Sequence, residues 1–425
     1  MSLIPFPPSS KPNCKKPLDS VLSVFDTVSE DTLSYMNIEE DDCCYLMIKN
    51  DGLTHVIRQI SYHPDYLKEF LRTESFLLKG DGPLPFHYRH YIAIMAAARH
   101  HCTCLINHHK QKFAALGGNL QWLQGLQYCP KKLRNLNEIN QILAHTPWNL
   151  RKCHIEKLNK GSNSWSIGEL CQAVVILAHI HCLCSFVYAS EILRQTDDCT
   201  DCEDLNEDDS NSEEEALGTV EELMEKMSII VQKKEKESSH EEKRDIPCAA
   251  ESASDSDMER FIDDQHSSHK DCSNFSENDG VFHIQDCTWE DHAYSLLNRY
   301  YNEFGTILDE KFKVAYDLTY YTMGHKKNVD TTIFRRAVWN YIHKIYGISH
   351  DDYNYEEMDD LLEKGFKSYI ETVCFYPHKI TKDAHDEIMR AFRHSEKVHV
   401  NLMVFEARMQ AELLYSLSAI AQYMT

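Results

Sequence analysis

Glycine and proline are scarce in this chain, and that scarcity bears on its fold class. Only 14 glycines and 12 prolines occur among 425 residues. An all-β protein needs many tight turns, which these two residue types supply, so the composition argues against that class. The hydrophobic content is 42%, which in a chain of this length is enough for two ordinary domains and a linker.

Positive charge, a long apolar run and a signal peptide are also missing. Lysine and arginine total 44 against 67 acidic residues, for a net charge of -23. Nucleic-acid recognition needs clustered basic residues, so no nucleic-acid partner is expected. We find no stretch of the about 18 apolar residues that a membrane span requires, and MSLIPFPPSSKP lacks the apolar core of a signal peptide. These absences predict a cytoplasmic protein, with the nucleus as a second location.

Cysteine, in contrast, is plentiful, with 16 residues that should stay reduced inside the cell. Two groups have a composition suited to zinc: HIHCLC at residues 179–184 and CTDC at residues 199–202. Structural zinc sites bring two ligand pairs together at turns. The first group lies in a continuous apolar helix and the second stands alone in an acidic segment. We therefore expect neither a metal nor a cofactor.

Apolar residues recur at helical spacing in two long regions, 19–194 and 286–425, which predicts an all-α protein. The two regions are loosely alike in pattern, so an internal pseudo-repeat of one helical unit is expected. Between them, residues 195–285 are acidic and poor in apolar side chains, which predicts a disordered linker. Residues 1–18 are rich in proline and are predicted to be disordered.

Several helices can be assigned individually. In the first region, YLKEFLRTESFLL has helical periodicity, and Ser166 stands three residues before Glu169, which predicts a capping box. In the second region, WEDHAYSLLNRYYNEF, TTIFRRAVWNYIHKIYG and EKVHVNLMVFEARMQAELLYSLSAIAQYM are three amphipathic helices, the last a core element. Inside the linker, GTVEELMEKMSIIVQK either docks as a short helix or is only transiently helical.

The segment Pro83–His109 concentrates reactive side chains, with six histidines and two cysteines in one helix-like stretch. A thiol needs a basic neighbour to become a nucleophilic thiolate at neutral pH. Cys102 and His109 are seven positions apart, about two helical turns, so both can point to one face of a continuous helix. That spacing suits a peroxide-reducing cysteine with a base beside it. The alternative is a buried helix whose histidines cap backbone groups and whose cysteines only pack.

Several segments resemble the sestrin family: DGPLPFHYRHYIAIMAAARH, NEINQILAHTPW, RRAVWNYIHKIYGI, DDYNY and FRHSEKVHVNLMVFEARMQAELLYSLSAIAQYMT. The resemblance covers nearly all of the chain outside the acidic linker and the extreme N-terminus. It implies an all-α protein with two pseudosymmetric halves, each similar to the alkylhydroperoxidase (AhpD) helical fold. It further implies an L-leucine sensor that restrains TOR complex signalling by binding GATOR regulators when leucine is absent. An alkyl hydroperoxide reductase is the alternative function, since that activity is attributed to the N-terminal half.

The resemblance assigns the redox residues. Cys102 matches the family's reactive cysteine, and His109 matches its partner histidine. The tyrosine that sestrins usually carry two residues later is Cys104 here, and the second cysteine of the bacterial enzymes is replaced by Leu105. On a helix, Cys104 would point about 100° away from that position. Without a resolving thiol, oxidised Cys102 would need an outside reductant to turn over.

The resemblance also assigns a leucine site, which agrees with what a zwitterion needs. Glu396 matches the residue that binds the ammonium group, and Arg335 matches the residue that binds the carboxylate with a two-pronged bond. A polar lid closes over the ligand and comprises Thr319, Tyr320, Thr322 and Thr331. From the residues alone, surface charges in helix salt bridges are the favoured interpretation of Arg335 and Glu396, and only the resemblance reverses it.

Two further positions follow from the resemblance. Met389 stands where the family often has a tryptophan as the floor of the pocket, so leucine affinity is expected to be weaker or the preference shifted towards methionine or isoleucine. Asp351 and Asp352 match the paired aspartates that contact the GATOR regulators. The alternative for this pair is an acidic helix start, which the helix dipole favours, and both roles can hold at once.

Overall fold

The computed structural model describes residues 53–161, 163–190, 213–238, 282–283, 289–301, 303–381 and 389–425. Within these ranges helices dominate, and each strand has only two residues, so the prediction of a mainly helical protein is confirmed. The division into two AhpD-like halves stays a prediction. The N-terminal segment 1–18, most of the linker 195–285 and the CTDC group lie outside the described residues.

The first region is a succession of helices joined by short turns. Its α-helices are α1 (Thr54–Ile60), α2 (Pro64–Lys79), α3 (Phe86–Arg99), α4 (Thr103–Ala115), α5 (Lys131–Asn135), α6 (Asn137–His145), α7 (Lys152–Asn159) and α8 (Ile167–Ala189). The capping box at the start of α8 is confirmed: the Ser166 hydroxyl accepts from the Glu169 backbone at 3.2 Å, and the Glu169 carboxylate accepts from the Ser166 backbone at 2.8 Å.

The second region follows the same scheme and adds short strands. Its helices are α9 (Glu213–Ser238), α10 (Ser295–Tyr300), α11 (Phe304–Asp317), α12 (Thr332–Ile345), α13 (Tyr355–Leu361), α14 (Lys364–Phe375) and α15 (His394–Met424). A π-helical turn, Trp289–Tyr294, leads into α10. The strands are β1 (Phe282–His283), β2 (Thr322–Met323), β3 (Lys326–Lys327) and β4 (Ile348–Ser349). Strand β1 pairs with β4 in parallel, and β2 pairs with β3 as an antiparallel hairpin.

Helices α8 and α15 form the centre of the molecule, where they pack against each other. Helix α3 packs on α8, and α12 packs on α15. One continuous cluster of buried apolar side chains runs from Leu53 to Ile420, so the two regions share a core.

Helix α8 differs from what the sequence led us to expect. It is 23 residues long, and its most apolar 18 residues have a mean hydropathy of 2.0, which in length and composition would suffice to cross a membrane. The prediction that the chain has no apolar run of this length is therefore wrong. The histidines and cysteines at residues 179–184 vary the residue type along the run but do not end it. The most apolar stretch of α8 is entirely buried by the rest of the protein.

Two helices begin or end at other residues than the sequence predicted. The stretch WEDHAYSLLNRYYNEF was expected to be one helix, but α10 ends at Tyr300 and α11 begins at Phe304. Glu303 has a φ of 57°, a left-handed conformation that cannot continue a right-handed helix. The island in the linker belongs to α9, which is longer than the pattern indicated and packs against α13. An ion pair of 2.7 Å joins Lys234 of α9 to Glu357 of α13.

Buried ion pairs and hydrogen bonds between histidines and carboxylates join the central helices. In α15, Arg408 pairs with Glu412 at 2.8 Å, and Glu412 also meets His181 of α8 at 2.9 Å. Lys311 of α11 lies 3.0 Å from Glu406, and His179 of α8 lies 2.6 Å from Glu74 of α2. The two histidines of the HIHCLC group therefore bind carboxylates. Among the described residues, no cluster of three or more histidine, cysteine or acidic side chains is arranged to hold a metal ion.

Candidate functional site

The predicted lid is a hairpin whose turn requires glycine. Strands β2 and β3 are joined by Gly324 and His325, and Gly324 has a φ of 56°. A Cβ atom added at Gly324 would lie 2.6 Å from the Ala391 carbonyl oxygen and 3.1 Å from a methyl group of Val220 in α9. The hairpin therefore lies tightly between the segment that leads into α15 and helix α9.

Glu396 connects this lid to α15. It occupies the third position of the helix, and its carboxylate accepts from the Arg393 backbone at 3.0 Å, which caps the helix start. The same carboxylate accepts from the Thr322 hydroxyl and from the Gly324 backbone N–H, both at 2.8 Å. One side chain thus holds the closed hairpin against the helix start.

Arg335 approaches the same space from α12. Its side chain is only 6% exposed, so the alternative of a surface charge is wrong for this residue. The guanidinium donates to the Thr331 hydroxyl at 3.2 Å, to the Thr332 hydroxyl at 3.0 Å and to the Tyr316 carbonyl. Burial lowers its pKa, while Asp317 and Tyr316 oppose that shift. Within the described part of the chain, no salt bridge joins Arg335 to Glu396.

Two histidines complete the wall and stay neutral. His63, in the loop between α1 and α2, donates from Nε2 to the Ser395 carbonyl at 2.7 Å and faces the Tyr320 hydroxyl at 3.4 Å. Burial lowers the pKa of His63 to about 4 and that of His399 to about 3. The backbone bonds to Ser395 and Ala315 oppose these shifts only partly. At neutral pH neither ring adds charge to the pocket.

These elements line a partly open cavity of about 40 Å³, which we call the lid pocket. That volume has room for about three water molecules. All six residues assigned to the leucine site line it, together with His63, Met323, Phe334, Phe392, Ser395, His399, Val400 and Met403. The apolar members, such as Phe334 and Met403, face the polar lid. Met389 is fully buried but lies outside this lining, so its expected role as the floor is not seen.

Sequence reasoning missed His63 and His399. His399 follows Glu396 by three positions on α15, so its place on the same helix face was available from helical spacing. His63 carries no such signal, because it comes from a loop more than 250 positions away from every other polar member of the pocket.

The paired aspartates lie on the surface. Asp352 is 76% exposed and accepts from Arg336 at 2.8 Å. Helix α13 is capped by Asn354, whose side chain accepts from the Glu356 backbone at 3.1 Å. Asp351 and Asp352 precede that cap, so the alternative that they begin the helix is wrong. Arg336 directly follows Arg335 of the pocket wall. The ion pair between Arg336 and Asp352 therefore connects the aspartates to that wall.

The redox segment is not one helix as we expected. Helix α3 ends at Arg99, and His101 has a φ of 55°, which reverses the handedness of the backbone and separates α3 from α4. Cys102 caps the start of α4 and is fully buried. We call residues 100–102 the thiol turn. The expectation that Cys102 and His109 share the face of a continuous helix is therefore wrong, because Cys102 lies outside the helical repeat.

The Cys102 thiol has unusual surroundings for a buried cysteine. A hydrogen bond from the Cys184 side chain lowers its pKa, and the backbone N–H groups of Leu105 and Cys104 at the start of α4 act in the same direction against burial. The effect of the N–H groups is the usual one of a helix N-terminus on a thiol. Burial and the neighbouring Cys102 raise the pKa of Cys104.

His109 belongs to a histidine cluster on α4. Its Nδ1 atom lies 3.1 Å from Nδ1 of His90, and its ring stacks edge-on against His108 at 4.9 Å between centroids. Burial holds its pKa well below the ordinary value, so the ring is neutral. Its Nε2 atom has no hydrogen-bond partner among the described residues. The structure brings Cys102 together with Cys184, and it brings His109 together with His90.

Together, these features define a helical protein with a partly open pocket that holds one cationic and one anionic side chain beneath a hairpin lid, and with a separate buried thiol pair. The sequence matches the family described as PA26 p53-induced protein (sestrin) over residues 23–424. It is 44% identical to mouse Sestrin-1 over 88% of this chain and 84% of that protein. It is 42% identical to mouse Sestrin-3 (88% and 86%) and 44% identical to human Sestrin-2 (85% and 82%). The chain belongs to the sestrin family.

Proposed function

We propose that this protein is an intracellular L-leucine sensor that binds GATOR regulators when leucine is absent and thereby restrains TOR complex signalling. The observation that supports this proposal is the lid pocket itself. Arg335 offers a guanidinium to the ligand carboxylate, Glu396 offers a carboxylate to the ligand ammonium, and neutral walls exclude other ions. The apolar side chains Phe334 and Met403 are suited to an aliphatic side chain.

In this proposal the ligand stabilises the closed lid. Glu396 already accepts from the Arg393 backbone and from Thr322 and Gly324 of the hairpin, so a bound ammonium group adds a fourth partner to the same carboxylate. A ligand shifts a conformational equilibrium only by its difference in affinity for the two states. Closure would reach the partner surface through Arg336, which lies next to Arg335 and binds Asp352. We propose Asp351 and Asp352 as contacts of the GATOR regulators.

A thermal-shift screen against the twenty amino acids tests this proposal most directly. Leucine at millimolar concentration should raise the Tm, and Glu396→Ala should abolish that rise. Glu356→Ala is a matched control, since Glu356 is an exposed carboxylate on α13, away from the pocket. The absence of any leucine-induced shift in the folded wild-type protein would contradict the sensor proposal. A larger response to methionine or isoleucine would instead revise the ligand.

A second candidate function, an alkyl hydroperoxide reductase, is supported by the lowered pKa of Cys102. Its thiolate would attack the hydroperoxide, and neutral His109 is the assigned base. The activity predicts consumption of an alkyl hydroperoxide with a thiol reductant, which Cys102→Ser should stop. Turnover that persists in this variant would remove Cys102 from the mechanism. A purely structural adaptor would show neither the leucine response nor this activity.

The remaining expectations belong to the same proposal. We propose that residues 19–194 and 286–425 are two AhpD-like halves, the first with the thiol turn and the second with the lid pocket, joined by the segment 195–285. We also propose that the protein works in the cytoplasm and reaches the nucleus as well. Expression of a fluorescent fusion with and without residues 195–285 would test the location and the role of that segment together.

A further inference from the structure

The sequence next to Cys102 lacks a second cysteine at the expected position. In the folded protein, a cysteine from a distant part of the chain lies beside Cys102. Cys184 of α8 is 82 positions further along the chain, yet its side chain is close enough to Cys102 to be the largest influence on the pKa of that thiol. Both cysteines are free and fully buried. The position expected for a second cysteine on the redox helix holds Leu105, so the partner comes from another helix.

Neighbouring contacts fix the thiol turn against this face of α8. The Tyr188 hydroxyl donates to the His101 carbonyl at 2.9 Å, and Tyr188 lies one helical turn after Cys184. On the adjoining side, Arg408 donates to the Ser185 hydroxyl at 2.6 Å and lies 3.1 Å from His100 Nε2. Ser185 and Tyr188, which follow Cys184 on α8, thus contact the residues that precede Cys102, Tyr188 directly and Ser185 through Arg408. The two sulfur atoms are held together by the fold as well as by their own contact.

We propose that Cys102 and Cys184 are a redox pair that a hydroperoxide oxidises to an intramolecular disulfide. The Cys102 thiolate attacks the terminal oxygen of the hydroperoxide, the O–O bond breaks, and the alcohol leaves with a proton while Cys102 becomes a sulfenic acid. The Cys184 sulfur then attacks the Cys102 sulfur, an S–S bond forms, and water leaves with the Cys184 proton. Two thiols supply the two electrons that reduce one hydroperoxide, and a dithiol reductant regenerates them.

The two thiols differ in the way such a pair requires. Burial keeps the pKa of Cys184 well above the ordinary value, so it remains a thiol and donates its proton towards Cys102. Cys102 has the lowered pKa and is the attacking group. Cys104 is half-buried with a raised pKa, and Cys182 lies two positions before Cys184 on α8, a rotation of about 200° around the helix. These two cysteines serve as matched controls.

The inference deepens the hydroperoxide reaction proposed for Cys102 and does not depend on leucine sensing. The full-length protein is treated with one equivalent of tert-butyl hydroperoxide, alkylated in denaturant, digested with trypsin and mapped by tandem mass spectrometry. Each relevant tryptic peptide holds other cysteines, so Cys104→Ser and Cys182→Ser are analysed in parallel. The expected product is one Cys102–Cys184 disulfide per equivalent in the wild type and in both of these variants.

Two more variants separate the possible failures. In Cys184→Ser the disulfide should vanish while dimedone traps a Cys102 sulfenic acid, and near-ultraviolet circular dichroism verifies the fold. In Cys102→Ser the Cys184 thiol should stay unmodified. If Cys102 remains a free thiol in the wild type, both the reductase function and the pair are wrong. If Cys102 is oxidised in the wild type but remains a sulfenic acid, or joins Cys104 or another chain, only the pairing with Cys184 is wrong.

Discussion

The lid pocket and the thiol turn treat charge in opposite ways. The lid pocket holds a guanidinium and a carboxylate that are not joined by a salt bridge within the described structure, and it surrounds them with neutral rings and hydroxyl groups. Among the described residues no carboxylate influences the sulfur of the thiol turn, and its reactive group is stabilised by a second thiol and by backbone N–H groups. The first arrangement suits reversible binding of a zwitterion, and the second suits a covalent change shielded from solvent.

The two sites nevertheless depend on the same helix. Glu396 at the start of α15 holds the lid, and Arg408 three turns later holds His100 of the thiol turn. Between them Glu406 pairs with Lys311, and after them Glu412 pairs with Arg408 and His181. These buried charges connect α15 with α8 and α11. Damage to this network should therefore affect both sites, whereas a change inside either site should leave the other intact.

The largest expected effect is on stability, from Glu412→Ala. Removing this carboxylate leaves Arg408 and His181 without their buried partner, which should cost about 3 to 5 kcal/mol of unfolding free energy. Urea unfolding measures the loss. Gln410→Ala on the same helix is the control and should cost less than about 1 kcal/mol, because Gln410 is only half-buried. Equal costs for the two variants would show that the buried network does not hold the sites together.

The next effect distinguishes the sites through two adjacent arginines. Arg335→Ala should weaken leucine binding about 10- to 100-fold, since a hydrogen bond to a charged group is worth about 1.5 to 3 kcal/mol. Arg336→Ala should leave leucine affinity unchanged and weaken the partner surface at Asp352 instead. Isothermal titration calorimetry with leucine measures the affinity of each of the two variants.

The rate at which Cys102 reacts with hydroperoxide is the second readout for these arginine variants. It should be the same in both variants as in the wild type, because neither arginine contacts the thiol turn. A loss of Cys102 reactivity in Arg335→Ala alone would mean that the lid pocket and the thiol turn are coupled. The two sites could then not be regarded as independent.

Sequence reasoning reached those parts of the molecule that are local in the chain. Helix α15 was expected from its periodicity, and Thr319, Tyr320, Thr322 and Thr331 were expected to form one polar lid. The break at His101 was missed because no glycine or proline marks it, and the left-handed residue is a histidine. The handedness is imposed by tertiary contacts such as the bond from Tyr188 to the His101 carbonyl.

Long-range partners were the other part that the sequence could not reveal. The Cys102 environment was judged by the spacing of Cys104 and Leu105 on one helix, whereas the thiol that most lowers its pKa is Cys184 on α8. His63 reaches the lid pocket from a loop with no distinctive pattern. Arg408 and Glu412 follow helical spacing, but nothing in that spacing distinguishes a buried pair from a surface pair. Arg408 and Glu412 are buried because α8 packs on α15.

A smaller effect concerns pH and the neutral wall of the lid pocket. The unfolded chain protonates His63 near its ordinary pKa of 6.5, whereas the folded protein does so only near 4. The stability that follows from this difference is complete above pH 6.5 and falls as the pH drops towards 4, because the unfolded state then binds more protons. Between pH 7 and pH 5 this group should account for about 1 to 2 kcal/mol of lost stability.

The pH effect can be assigned with two variants of similar chemistry. His63→Gln should reduce the loss of stability between pH 7 and pH 5, measured by urea unfolding at each pH. His325→Gln should leave it unchanged, since His325 is exposed in the turn of the lid hairpin. If both variants lose stability with pH as the wild type does, the neutral wall of the lid pocket is not what makes the protein sensitive to acid.

The smallest effect lies where helix α9 touches the lid. Lys326 of the hairpin pairs with Glu221 of α9 at 2.7 Å, but both side chains are largely exposed, at 39% and 56%. Such a pair is worth at most about 1 kcal/mol and is screened by salt. Lys326→Ala should therefore weaken leucine binding less than about fivefold, with the difference vanishing in high salt. Lys327→Ala, one residue further along and exposed, is the control. A much larger loss from Lys326→Ala would mean that α9 controls the closure of the lid, and the lid pocket would then extend beyond the residues that line it.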